Sequence, residues 1–80
     1  MHAKDLFVQR ASVVLISLAS KPIPSGHLYA AMMNDTSLEE FTNVVNILEG
    51  NGLITSQHYL LSLTAKGTEV AKRVMKAIGE

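Results

Sequence analysis

The sequence predicts a small α+β domain, mostly helical, with its elements in the order α, very short β, α, α, β, β, α. Three observations lead there. Residues 36 to 64, TSLEEFTNVVNILEGNGLITSQHYLLSLT, read as a capped amphipathic helix that stops at a glycine cluster and runs into two short β-like stretches. Helix-periodic apolar residues occupy both ends of the chain. Between the first helical stretch and the rest stands Lys21-Pro22-Ile23-Pro24, which cannot continue a helix. Each proline lacks a backbone N–H and drives the residue before it toward extended geometry.

Taken in order, residues 3 to 19 place Phe7, Ala11, Val14 and Leu18 on one stripe, with Leu6, Leu15 and Ile16 beside it. Lys4, Gln9, Arg10, Ser12 and Ser17 fill much of the remainder. A stripe that wide is expected to face both the domain's own core and a second subunit. Ser25 suits the N-cap of a short helix, GHLYAAMM, on which Leu28, Ala31 and Met32 align. Asn34-Asp35 makes the turn into the third helix. There Leu38, Phe41, Val45 and Leu48 share one face, and Val44 and Ile47 widen it. Thr36 and Ser37 each stand three residues before a glutamate, Glu39 and Glu40, so either can supply the N-cap of a capping box. Gly50, Asn51 and Gly52 tolerate a left-handed helix ending, which predicts a sharp turn near Gly52. Extended pieces follow: Leu53-Ile54-Thr55, a connection Ser56-Gln57-His58, and Tyr59 to Leu63 in apolar alternation. Thr64 can cap a last helix that turns Val70, Val74, Ala77 and Ile78 one way and Lys66, Glu69, Lys72, Arg73 and Lys76 largely elsewhere.

Eighty residues allow one domain, spanning 1–80, yet 48% of them are hydrophobic. A single small core does not readily hide so much apolar side chain, which leads to the expectation of a homodimer or another covering partner. Seven basic and seven acidic side chains cancel, so composition supplies none of the positive charge typical of nucleic-acid binders. With no cysteine, disulfides and thiolate metal sites are excluded. The N-terminal apolar stretch is broken by Gln9, Arg10, Ser12 and Ser17 and is too short and polar for a bilayer. A cytoplasmic protein without membrane contact is expected. His2, His27 and His58 are not spaced as metal ligands, and there is no nucleophile–base motif, glycine-rich phosphate loop or carboxylate pair. No enzymatic activity, cofactor or metal is expected. Met32, Met33 and Met75 read as core or interface filler.

Two stretches, LEGNGLI at residues 48 to 54 and LSLTAKG at residues 61 to 67, resemble the second half of a winged helix-turn-helix domain of the MarR and PadR kind. In that family the first marks the end of the recognition helix and the start of the wing, and the second marks the return from the wing into a helix. The resemblance implies three packed helices, a β-hairpin wing, and a very short strand at the proline link with Ile23 as its inward side chain. Residues 25 to 49 would then form the helix-turn-helix unit. It further implies a transcriptional regulator that binds double-stranded DNA through its third helix. On this chain the implied contacts are Thr42, Asn43 and Asn46 to bases, with Lys21 and His58 on the backbone. A dimer would join the first and last helices through Phe7, Val14, Leu18, Val74 and Ile78. The extra helices that frame an effector pocket in some MarR-like proteins are not among the elements read here.

The chemistry of the third helix weighs against the family's usual role. At roughly 100° per residue, Glu39, Thr42, Asn43, Asn46 and Glu49 share its polar face, and none is basic. The asparagines can bond adenine in bidentate fashion, but the glutamates help only by accepting a hydrogen bond from a cytosine amino group. The wing offers Ser56, Gln57 and His58 where relatives often carry arginine or lysine. Four cations, Lys66, Lys72, Arg73 and Lys76, gather on the last helix. The second expectation is therefore a protein-interaction module that does not bind DNA. It would use the acidic and amide face of the third helix or the apolar face of the first.

Overall fold

A computed structural model describes the backbone of residues 3–79 and the side-chain surroundings of residues 7–77. Its elements are α1 (Ala3–Ser20), β1 (Ile23–Pro24), α2 (Ser25–Met32), α3 (Leu38–Gly50), β2 (Ile54–Gln57), β3 (Leu60–Leu63) and α4 (Ala65–Gly79), in the order read from the sequence. The strands form an antiparallel sheet in the order β1-β3-β2, with Ile23 opposite Leu61 and Ile54 opposite Leu63. The outer edge of β2 is thus unpaired within the sheet. Readings that fall on His2, or on the side chains of Lys4, Leu6 and Ile78, lie outside the described residues.

Helix α3 starts at a complete capping box. The Glu40 backbone N–H donates to Ser37 Oγ at 3.1 Å, and the Ser37 N–H donates to Glu40 Oε1 at 3.0 Å. Ser37, not Thr36, is the cap. At the other end Gly52 alone takes a left-handed φ, +75°, while Asn51 at φ −92° does not. Leu53 N donates to Leu48 O and Gly52 N to Glu49 O, both at 3.0 Å, the paired bonds of a Schellman ending. That ending aims the chain into β2.

The two sequence stretches that carry the resemblance meet at this corner. Thr64 N donates to Leu53 O at 3.0 Å, and the Thr64 hydroxyl donates to Gly52 O at 2.6 Å. The same hydroxyl accepts from Gly67 N at 3.0 Å, which caps α4 as expected. Gly67 is buried against the Leu53 peptide. A Cβ at Gly67 would lie 2.8 Å from the Leu53 carbonyl carbon and closer still to its oxygen.

Burial revises several stripes by one position. On α3 the buried residues are Phe41, Val44 and Leu48, while Leu38 is 60% and Ile47 47% exposed. Stepping 100° per residue puts Leu38 and Ile47 roughly 90° to either side of the buried centre, on the shoulders of the helix. On α4 Ala71 is buried, Val70 and Val74 are half-buried and Ala77 is exposed. With Gly67 and Ala71 as the inward residues, α4 can approach α1 and the Leu53 corner closely. On α2 Leu28 and Met32 are buried and Ala31 is exposed; Met33 and Met75 are surface residues and not core filler. Ser25 is the first residue of α2 and not its cap, and its N–H donates to Tyr59 O at 2.7 Å. Pro24 takes the cap position, where its missing N–H costs nothing.

The hairpin turns one residue later than the sequence reading placed it. His58 and Tyr59 are the two-residue loop, with φ +51° and +65°, the left-handed pair of a type I′ turn. Leu61 is the fully buried residue of β3, whereas Tyr59 is 81% exposed at the tip.

Candidate functional site

The outward face of α3 collects the candidate base-contacting residues. Thr42, Asn43 and Asn46 are all exposed, on the side opposite Phe41, Val44 and Leu48. By helical geometry each points within roughly 60° of the outward normal, and Glu39 lies almost on it. Amides, a hydroxyl and carboxylates are therefore brought together on one accessible strip. Ile47 and Leu38 flank that strip and make it more apolar than the sequence reading allowed.

Beside this strip one acid and one base are committed to each other. Glu40 belongs to the capping box and also accepts from Arg10 Nη1 at 3.0 Å. Arg10 Nη2 donates to the Asp35 carbonyl oxygen at 2.8 Å, so one α1 side chain ties down both the α2–α3 turn and the first turn of α3. The Glu40 carboxyl is held below its ordinary value, first by the Ser37 backbone N–H and then by the Ser37 hydroxyl; loss of hydration opposes them, and the Arg10 guanidinium adds a lesser lowering. The role of Arg10 was not visible in the sequence, because its partners lie 25 and 30 residues away.

Lys21 and His58, the candidate backbone contacts, are both exposed, Lys21 between α1 and β1 and His58 in the hairpin turn. Among the α4 cations, Lys66 donates to the Asn51 carbonyl at 3.2 Å, and Lys72 lies 4.0 Å from Glu69. Lys72, Arg73 and Lys76 are exposed.

The candidate dimer residues are placed differently from the sequence reading. Val14 is 0% and Leu18 3% exposed, so both side chains are consumed by the chain's own core and offer nothing to a second copy. The sequence stripe correctly identified an apolar face of α1, but that face is enclosed by this chain's other elements. Phe7 and Val74 are half-buried, and Phe7 packs against the core cluster. The side chain of Ile78 lies outside the described residues.

Among the described residues no helix is long and apolar enough to cross a membrane, and no three of His, Cys, Asp and Glu gather as a metal site. Comparison with protein-family models, with curated proteins and with solved structures gives no match.

Proposed function

We propose that this chain is a small winged-helix DNA-binding regulator, with α3 as the recognition helix and the β2–β3 hairpin as the wing. One observation carries the reading: a capped, amphipathic α3 that keeps Thr42, Asn43 and Asn46 exposed and leads through a Schellman ending directly into the hairpin. Asn43 and Asn46 read adenine edges, Thr42 touches a thymine methyl or a phosphate, and Lys21 and His58 meet the backbone. Binding of random duplex DNA, followed by fluorescence anisotropy at low salt, tests it. Affinity should fall steeply as salt rises, and Asn43→Ala or Asn46→Ala should cost about 1–3 kcal/mol on a preferred sequence. No binding at low salt refutes the reading, because phosphate attraction is strongest there.

A second reading is supported by the exposed Leu38 and Ile47 beside Glu39 and Glu49, a strip with apolar shoulders and no cation. Such a face suits a protein partner better than a phosphate backbone. In either case self-association would have to use exposed apolar side chains such as Val8 on α1 and Met75 on α4. Sedimentation equilibrium of wild type and of Val8→Asp with Met75→Asp tests that contact. A wild-type dimer that the double variant leaves intact rules it out.

A further inference from the structure

A groove of about 500 Å³ opens between α1 and the end of α2, lined by Gln9, Arg10, Val13, Ala31, Met32, Asp35 and Thr36. This volume falls inside the range of about 300–1,000 Å³ usual for small-molecule sites. Its floor contains an unusual residue. Thr36 is only 4% exposed, yet its hydroxyl bonds to no described residue, since Ser37 took the capping role. No fully buried side-chain polar atom among the described residues is left orphaned, so this oxygen keeps some accessible surface, and Thr36 is one of the residues that line the groove. A hydroxyl with no described partner, on a largely buried residue that lines a cleft, is a hydrogen-bonding group available to a ligand.

We infer that this groove binds a small uncharged molecule with an apolar body and a hydroxyl or amide head. Val13, 43% exposed, with Ala31 and Met32 supplies the apolar wall. The Thr36 hydroxyl and the Gln9 amide each donate and accept, which matches a head group that does both. The charged lining argues against an ionic ligand. Arg10, engaged by Glu40 and by the Asp35 backbone carbonyl, and Asp35 are the two charged residues of the lining, and they carry opposite signs. The inference does not depend on what α3 contacts, because the lining comes from α1, α2 and the turn after α2.

The test titrates ¹⁵N-labelled protein with four probes that share one ring: benzyl alcohol, toluene, benzoate and benzylamine. Benzyl alcohol should give saturable amide shifts centred on Gln9, Val13, Met32 and Thr36, and the other three should bind more weakly. Thr36→Val should weaken benzyl alcohol by about 3- to 10-fold, the effect of one lost hydrogen bond, and leave toluene unchanged. Ala31→Phe, at an exposed position, should fill the groove and abolish the shifts, which keeps the test decisive if Thr36→Val disturbs the fold. Absence of saturable shifts at these residues overturns the inference. So does equal binding of toluene, tighter binding of either ion, or shifts that persist in Ala31→Phe.

Discussion

Replacing Gly67 by alanine separates what helix propensity says from what packing says. Gly67 lies inside α4, where alanine is intrinsically favoured by about 1 kcal/mol. The added Cβ, however, would lie 2.8 Å from the Leu53 carbonyl carbon, nearer to its oxygen, and 3.2 Å from Leu63 Cδ2. Backbone cannot yield as a flexible side-chain end does. The Leu53 carbonyl also accepts the Thr64 N–H at 3.0 Å and lies 3.1 Å from the Thr64 hydroxyl, so moving it disturbs bonds worth about 0.5–1.5 kcal/mol each. Overpacking adds about 1–3 kcal/mol. After the propensity gain, the net loss is about 1–5 kcal/mol, and each kcal/mol lowers Tm by roughly 4–8 °C in a domain of this size. The assay is urea and thermal unfolding followed by circular dichroism, beside Gly26→Ala as control. Gly26 lies in α2, and a Cβ there meets nothing within 4 Å, so alanine should be neutral or stabilising by up to about 1 kcal/mol. If the two variants shift stability in the same direction by similar amounts, the close approach of α4 to Leu53 is refuted.

Three further outcomes follow from the same contacts. Val14→Asp should unfold the chain, because it places an unpaired carboxylate at a fully buried position; a folded variant with altered sedimentation would instead restore Val14 as an interface residue. Glu40→Gln should lower the urea midpoint at neutral pH. Because the folded carboxyl titrates below its ordinary 4.5, its stabilisation is full above that value and is lost as pH falls through the folded pKa. The gap between wild type and Glu40→Gln should therefore stay constant from about pH 7 to about 5 and close at lower pH, and a gap that persists in acid would refute the assignment. Replacing His58-Tyr59 by Asn-Gly should raise stability by about 1–2 kcal/mol, since both positions have positive φ and neither present residue favours it. A lower Tm would show that the Tyr59 or His58 side chain contributes more than the turn strain costs.

What was legible in the sequence was what short-range chemistry decides. The glutamate three residues after a capping serine, the glycine at the end of α3 and the threonine before α4 all act within a few residues, and all act as read. The hairpin tip was misplaced because His58-Tyr59 is not a turn sequence: neither residue favours the left-handed region, so nothing local marked the loop. Helix faces were displaced wherever apolar residues covered more of the circumference than one neighbour could cover, as with Leu38 and Ile47. Val14 and Leu18 went to the core for a related reason, since a periodic stripe shows that a face is buried but not by which chain. Arg10 and the groove around Thr36 had no sequence signature, because three separate segments supply them and only tertiary packing brings these together.

The sheet's two margins differ in their capacity to accept another strand. On the β1 side, Pro22 and Pro24 flank Ile23 and deprive that margin of donors, so no further chain can be added there. The β2 side carries no proline, lysine or bulky guard across Thr55, Ser56 and Gln57. Any strand exchange or accretion between molecules at high concentration is accordingly one-sided, and a single lysine at Thr55 would be the economical way to block it.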